Sequence, residues 1–131
     1  MPITFDSAIG IHEKSLMLYA QRAELLASNI ANADTPGFKA KDIDFKSTLE
    51  NIHTNRAHEL KATHARHIQL PASNMSVETQ YRIPNQPSLD GNTVDSQLEK
   101  SAFAENALRY QASLTFLDGK LKGIMSALKG E

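Results

Sequence analysis

The chain has no cysteine, few aromatic residues and almost no net charge. Without cysteine it has no disulfide, no thiolate metal ligand and no thiol nucleophile. A formal net charge of -1 gives no electrostatic footprint for nucleic acid or an anionic membrane, which would need a basic face. No apolar run approaches the ~20 residues that cross a bilayer, and the N-terminus lacks the basic and apolar segments of a cleaved secretory signal. What remains is one domain of 131 residues with a modest apolar fraction of 40%.

The apolar residues of the N-terminal third follow one helical stripe. They recur in steps of four and three, the spacing of a coiled-coil seam, and His12 is the single exception. We interpret His12 as a partly buried imidazole in a helix interface, in preference to a ligand or a pH switch. The stripe consists of Phe5, Ile9, His12, Leu16, Tyr19, Ala23, Leu26 and Ile30.

The C-terminal third repeats this spacing with apolar residues at every position. Ser96 and Glu99 before it form the pattern of a capping box, which favours a helix start there. The two seams predict a mainly α fold, in which two long helices at 1–34 and 93–131 pack as an antiparallel coiled-coil hairpin and form one inner-core domain. The C-terminal seam consists of Phe103, Ala107, Tyr110, Leu114, Leu117, Leu121, Ile124 and Leu128.

The middle segment, residues 35–92, is predicted to be mostly irregular. Phe45, Leu49 and Ile52 have helical spacing behind a plausible Asp44 cap, which indicates one short helix. Alternation over residues 77–83 hints at a short strand or an extended arm. Residues 53–75 show little periodicity.

Catalytic chemistry has weak support in the residues. His64 and His67 have the spacing of a metal pair on a helix, with Glu59 as the nearby carboxylate. A polar loop that happens to contain histidines explains them better than a metal hydrolase does. Asp42 and Asp44 are interpreted as a solvated carboxylate and a helix cap. No phosphate-binding or dinucleotide motif is present, so we predict no enzyme, no cofactor, no metal and no small-molecule substrate.

The most informative local sequence lies where the first helix must end. Pro36 disfavours helical geometry at Thr35, and Gly37 suits the positive φ of a type II turn. Asn29 and Asn32 precede this break on successive helical turns. They can bond the last carbonyls of the helix or a neighbouring chain.

Residues 29–38, Asn-Ile-Ala-Asn-Ala-Asp-Thr-Pro-Gly-Phe, resemble the N-terminal signature of bacterial flagellar axial proteins, which are rod, hook and hook-associated subunits. The continuation at 39–45, Lys-Ala-Lys-Asp-Ile-Asp-Phe, and residues 103–112, Phe-Ala-Glu-Asn-Ala-Leu-Arg-Tyr-Gln-Ala, are most similar to the proximal members of the basal body rod family. The resemblance implies a structural subunit that assembles helically into the torque-transmitting rod and its export channel.

The resemblance also implies partners and a location. The partners would be other copies of the chain, other rod proteins, the adapter between rod and MS ring, the MS ring and the export gate. The location would be the basal body rod across the periplasm, reached through type III export without a cleaved signal.

The site that the resemblance implies combines the two seams, as the inner wall, with a turn and inter-subunit motif. A soluble coiled-coil adaptor or export chaperone of the flagellar system is the alternative function. The motif comprises Asn29, Ile30, Asn32, Thr35, Pro36, Gly37, Phe38, Asp42, Ile43, Asp44 and Phe45.

Overall fold

The computed structural model describes residues 5–55, 77–84, 86 and 88–130. These residues form a mainly helical fold with two long terminal helices and a small sheet, which confirms the coarse fold prediction. Its elements in chain order are α1 (Phe5–Ala31), β1 (Lys41–Ile43), α2 (Phe45–Asn55), β2 (Thr79–Tyr81) and α3 (Ser96–Lys129). At ~1.5 Å per residue, α3 is about 51 Å long.

The two long helices pack against each other and run antiparallel. The Asn29 amide near the end of α1 donates to Glu99 near the start of α3, while Asn106, two turns further along α3, donates to the Tyr19 carbonyl. Heptad packing of one seam on the other stays a prediction. Among the side chains of these helices from residue 9 onward, those at most 2% exposed are Leu18, Leu26, Asn29, Glu99 and Asn106, of which only Leu26 belongs to a seam.

The start of α3 differs from the capping box. Asp95 is the N-cap, and its carboxylate accepts hydrogen bonds from the backbone N–H groups of Gln97 and Leu98. Ser96 is already the first helical residue, and Glu99 turns inward to other partners. The capping-box prediction is wrong because Asp95 is itself a strong capping residue one position earlier.

The short middle elements follow the sequence pattern. Asp44 accepts from the Ser47 N–H at the start of α2, as the predicted cap requires. β1 and β2 pair antiparallel, with Asp42 opposite Gln80, so the predicted strand is confirmed. The Tyr19 ring stacks on Phe45 with centroids 4.3 Å apart, which attaches α2 to α1.

Two further findings concern the described ranges only. None of the helices described there is long and apolar enough to cross a bilayer. Within the same ranges, no group of three or more His, Asp or Glu residues is placed to hold a metal ion. Glu59, His64 and His67, the weak metal candidates, lie outside the described residues.

Candidate functional site

An ion cluster of four side chains joins both long helices to the small sheet. Arg22 of α1 donates to both carboxylate oxygens of Asp42 in β1, each at 2.9 Å. Arg82, just after β2, donates to Asp42 at 2.5 Å and to Glu99 of α3 at 2.6 Å. Positive and negative groups alternate through the cluster, so each buried or half-buried charge faces the opposite charge.

The cluster changes the acid–base behaviour of Asp42. Burial alone would raise the pKa of this carboxyl, but the hydrogen bonds from Arg22 and Arg82 outweigh it, so the pKa lies below its ordinary value. The bonds to Asp42 likewise raise the pKa of Arg22. The interpretation of Asp42 as a solvated carboxylate is therefore wrong, because packing of β1 on α1 brings Arg22 to it and pairing with β2 brings Arg82 to it.

Asn29 connects the end of α1 to β1 and α3. Its side-chain oxygen accepts from the Lys41 N–H at 3.1 Å, and its amide donates to the Lys41 carbonyl at 2.8 Å. The amide also reaches Glu99 at 3.2 Å, and the side chain is 1% exposed. The side chain of Asn29 thus bonds both the N–H and the carbonyl of Lys41, as the backbone of a neighbouring strand would, and it does so within one chain. The predicted partners of Asn29, which were the helix end or a neighbouring chain, do not include this contact.

The turn after α1 has the geometry that Pro-Gly predicts. Gly37 adopts φ +71°, and the Phe38 N–H donates to the Thr35 carbonyl at 3.3 Å. Asn32 donates from its side chain to the Ser28 carbonyl at 2.8 Å, which satisfies one of the last acceptors of the helix.

Asn92 holds this turn in place and was missed by the sequence reasoning. Its side-chain amide donates to the carbonyls of Asn32, Ala33 and Thr35 at 2.7–3.1 Å. It is 5% exposed. The only signal was an asparagine in a loop rich in turn residues, which does not indicate a contact to a segment about 60 residues earlier.

The loop around Asn92 also makes backbone contacts to the chain after the turn. Gly37 N–H donates to the Asp90 carbonyl, and Thr93 N–H donates to the Phe38 carbonyl. The Thr93 hydroxyl accepts from the N–H of the fully buried Ala40 at 2.8 Å. The turn therefore has a rigid base and an outward tip.

The predicted turn and inter-subunit motif divides into an inner and an outer part. Its buried members are Asn29 and Ile43, and the half-buried ones are Ile30, Asn32, Phe38, Asp42 and Phe45. The exposed members are Thr35, Pro36, Gly37 and Asp44. The exposed tip, Thr35 to Gly37, is therefore the part of the turn most accessible to another chain.

The apolar seam of α3 is largely uncovered. We call its five exposed large members the apolar strip: Phe103, Tyr110, Leu114, Leu121 and Leu128, with exposed fractions of 39, 37, 42, 41 and 77%. Ala107 is also exposed, and Leu117 and Ile124 are half-buried. The strip extends about 38 Å along the helix. Continuous apolar surface of this kind is typical of an interaction site.

The seam of α1 is more covered than that of α3. Leu26 is fully buried, whereas Ile9, Leu16, Tyr19, Ala23 and Ile30 are half-buried. Leu18, which lies outside the seam, is fully buried as well. The inward face of α1 is therefore displaced from the predicted one, in part because Tyr19 packs on α2.

Comparison with known proteins agrees with this arrangement. Residues 10–39, which include most of α1 and the whole turn, match the family model described as flagella basal body rod protein. FlgB of Aeromonas hydrophila is 50% identical, and the match covers 100% of this chain and 99% of the relative. FlgB of Salmonella typhimurium is 48% identical over 95% of each chain, and FlgB of Escherichia coli K12 is 48% identical over 95% of this chain and 94% of the relative.

The two long helices, the turn held by Asn92 and these matches together define a flagellar basal body rod protein. Identity near one half over the full length of both chains makes the assignment more specific. The chain belongs to the FlgB family. The resemblance noted in residues 29–45 and 103–112 is thereby confirmed.

Proposed function

We propose that this chain is a structural subunit of the proximal rod, which assembles helically into the torque-transmitting drive shaft and export channel. The observation that carries the proposal is the apolar strip of α3, which one chain alone leaves in contact with water. Burial of apolar area stabilises association. The proposed role as a rod subunit is mechanical and requires no catalytic group.

The strip supports assembly into a tube. α3 is about 51 Å long, packs beside α1 and presents apolar side chains along most of its length. When copies repeat such contacts in a way that does not close into a ring, they generate a helix of subunits. In the assembled rod, the two seams would complete their coiled-coil packing with neighbouring chains and form the inner wall.

The turn motif would supply the second contact. Its exposed tip, Thr35 to Gly37, stands on a base held by Asn92, by Asn29 and by the ion cluster. A rigid tip loses little conformational entropy when it meets a partner. We therefore propose it as an inter-subunit contact, with the buried members of the motif as its support.

The partners proposed are other copies and the neighbouring basal body components. These are other rod proteins, the adapter between rod and MS ring, the MS ring and the export gate. The location proposed is the rod across the periplasm, reached by export without a cleaved signal. A net charge of -1 fits an assembly in which many chains lie side by side without accumulated repulsion.

The decisive experiment is complementation of a flagellated host from which the gene has been deleted. The unaltered chain should restore rods and motility, whereas the double variant Leu114→Glu with Leu121→Glu should leave basal bodies at the MS ring stage. Ala112→Glu, at an exposed position on the opposite side of α3, adds a negative charge away from the strip and should still complement.

Two outcomes would contradict the proposal. If the strip double variant restores motility as well as the unaltered chain does, the strip is not an assembly surface. If the purified chain forms only a small complex of fixed stoichiometry with one helical partner and never co-assembles with rod proteins, the adaptor or export chaperone alternative is favoured.

A further inference from the structure

The buried side chains of α3 are all polar. The buried residues of α3 are Glu99, Asn106 and Ser113, which we call the polar row. They are 1, 2 and 8% exposed and lie seven residues apart. The apolar strip lies beside this row, roughly a sixth of a helical turn away. Burial of polar groups in place of available apolar ones costs free energy, so this arrangement needs a reason.

Asn106 shows the cost most clearly. Its amide donates to the Tyr19 carbonyl of α1 at 2.9 Å. Its side-chain oxygen is buried and has no hydrogen-bond partner among the described residues. An isolated chain selected only for its own stability would favour an apolar side chain here, because a buried unsatisfied acceptor is destabilising.

Glu99 shows what the polar row achieves. Its carboxylate accepts from Arg82 at 2.6 Å and from Asn29 at 3.2 Å, so it is anchored at two points. Asn106 adds a third link, to the α1 backbone. If α3 rolled by a sixth of a turn to bury the apolar strip against α1, the chain would lose these bonds and expose the polar row.

We infer that the polar row determines which face of α3 points at α1 and so keeps the apolar strip outward, with Asn106 as its central specificity-determining residue. A polar residue in a helix interface can specify register and partner at a cost in stability. The inference rests on the proposed rod assembly only for the identity of the chains that later cover the strip. The orientation of α3 in the dilute chain is a separate question that can be measured alone.

The chain contains no tryptophan, so one introduced indole can report on the strip. Leu114→Trp places it at a position that is 42% exposed. In the dilute chain we expect its fluorescence to be readily quenched by acrylamide. As the chain is concentrated or mixed with rod partners, quenching should fall because neighbours cover the strip.

Asn106→Leu in this background should remove the polar constraint. We expect quenching of the indole in the dilute chain to drop at least threefold, because α3 turns the strip inward. Self-association should weaken at least tenfold, and Tm should rise. Ser113→Leu should shift all three quantities in the same direction but by less. Asn106→Ser, which keeps a polar group, and Ala112→Leu, on the opposite side of α3, should leave quenching and association within twofold.

Unchanged quenching and unchanged association in Asn106→Leu would overturn the inference. If that variant does not fold, Ser113→Leu decides in the same way. A different result would contradict the proposed function. In that case the chain with its polar row intact would show no protection of the indole when concentrated and would not join rod partners. Quenching in the dilute chain does not depend on assembly, so the two failures are distinguishable.

Discussion

Arg22 and Asp42 are joined by two hydrogen bonds of 2.9 Å, from Nε to Oδ1 and from Nη2 to Oδ2. This bidentate pair fixes the strand after the turn against the middle of α1. Arg82 shares the same carboxylate and extends the link to α3. The base of the exposed turn therefore depends on the negative charge of Asp42 in β1.

Asp42→Asn should destabilise the chain by about 2 kcal/mol, because it leaves Arg22 and Arg82 half-buried without their counter-charge. Urea unfolding followed by circular dichroism measures this loss. Asp118→Asn removes an exposed pair with Lys122 and should change stability by less than about 0.5 kcal/mol. Equal effects of the two substitutions would show that the cluster contributes no more than a surface pair.

Stability should fall at acid pH in a way that depends on Asp42. The pKa of this carboxyl in the folded chain lies below its ordinary value of 3.8. Its contribution is therefore fully present above that value and is lost as pH falls through the lowered pKa. Urea unfolding from pH 7 to pH 2 should show a steeper loss for the unaltered chain than for Asp42→Asn. Parallel pH profiles would contradict the assignment, since Asp44 and Asp90, whose pKa values are also lowered, remain in both chains.

Asn92→Ala should loosen the turn after α1, because three carbonyls lose the amide that they share. We expect a loss of about 2 kcal/mol in unfolding free energy. Hydrogen exchange should accelerate in residues 32–38 before it does in α3. Gln111→Ala, an exposed position of α3, provides the control and should alter neither quantity appreciably. Uniform acceleration across the chain would instead indicate a global effect.

Gly37→Ala and Gly119→Ala should have opposite signs. A Cβ at either position meets nothing within 4 Å, so packing does not decide the outcome. Gly37 has φ +71°, where a side chain is strained, and its replacement should cost about 1 kcal/mol. Gly119 lies inside α3, where alanine is favoured by about 1 kcal/mol. Thermal unfolding of the two variants measures both effects, and a stabilising Gly37→Ala would refute the role of the turn geometry.

Local patterns in the sequence were sufficient for most of the secondary structure and for the family, whereas β1 was not predicted. The seam spacing located α1 and α3, Asp44 marked the start of α2, alternation marked β2, and Pro36 with Gly37 marked the turn. Each of these features depends on residues a few positions apart, whose preferences for φ, ψ and face are expressed locally. Residues 29–45 carried the family resemblance.

The tertiary structure alone decided which faces meet. Asp42 binds Arg22 and Arg82, Asn29 binds Glu99, and Asn106 binds Tyr19, at sequence separations that range from 20 to 87 residues. Periodicity identifies the apolar face of α3 but not the element that this face packs against. Hydrogen bonds from polar residues of α3 to α1 compete with apolar burial, and they decide which face of α3 points at α1. The sequence by itself therefore determined two long amphipathic helices and the turn that follows the first of them. Three-dimensional pairing determined that the polar row faces inward and the apolar strip outward.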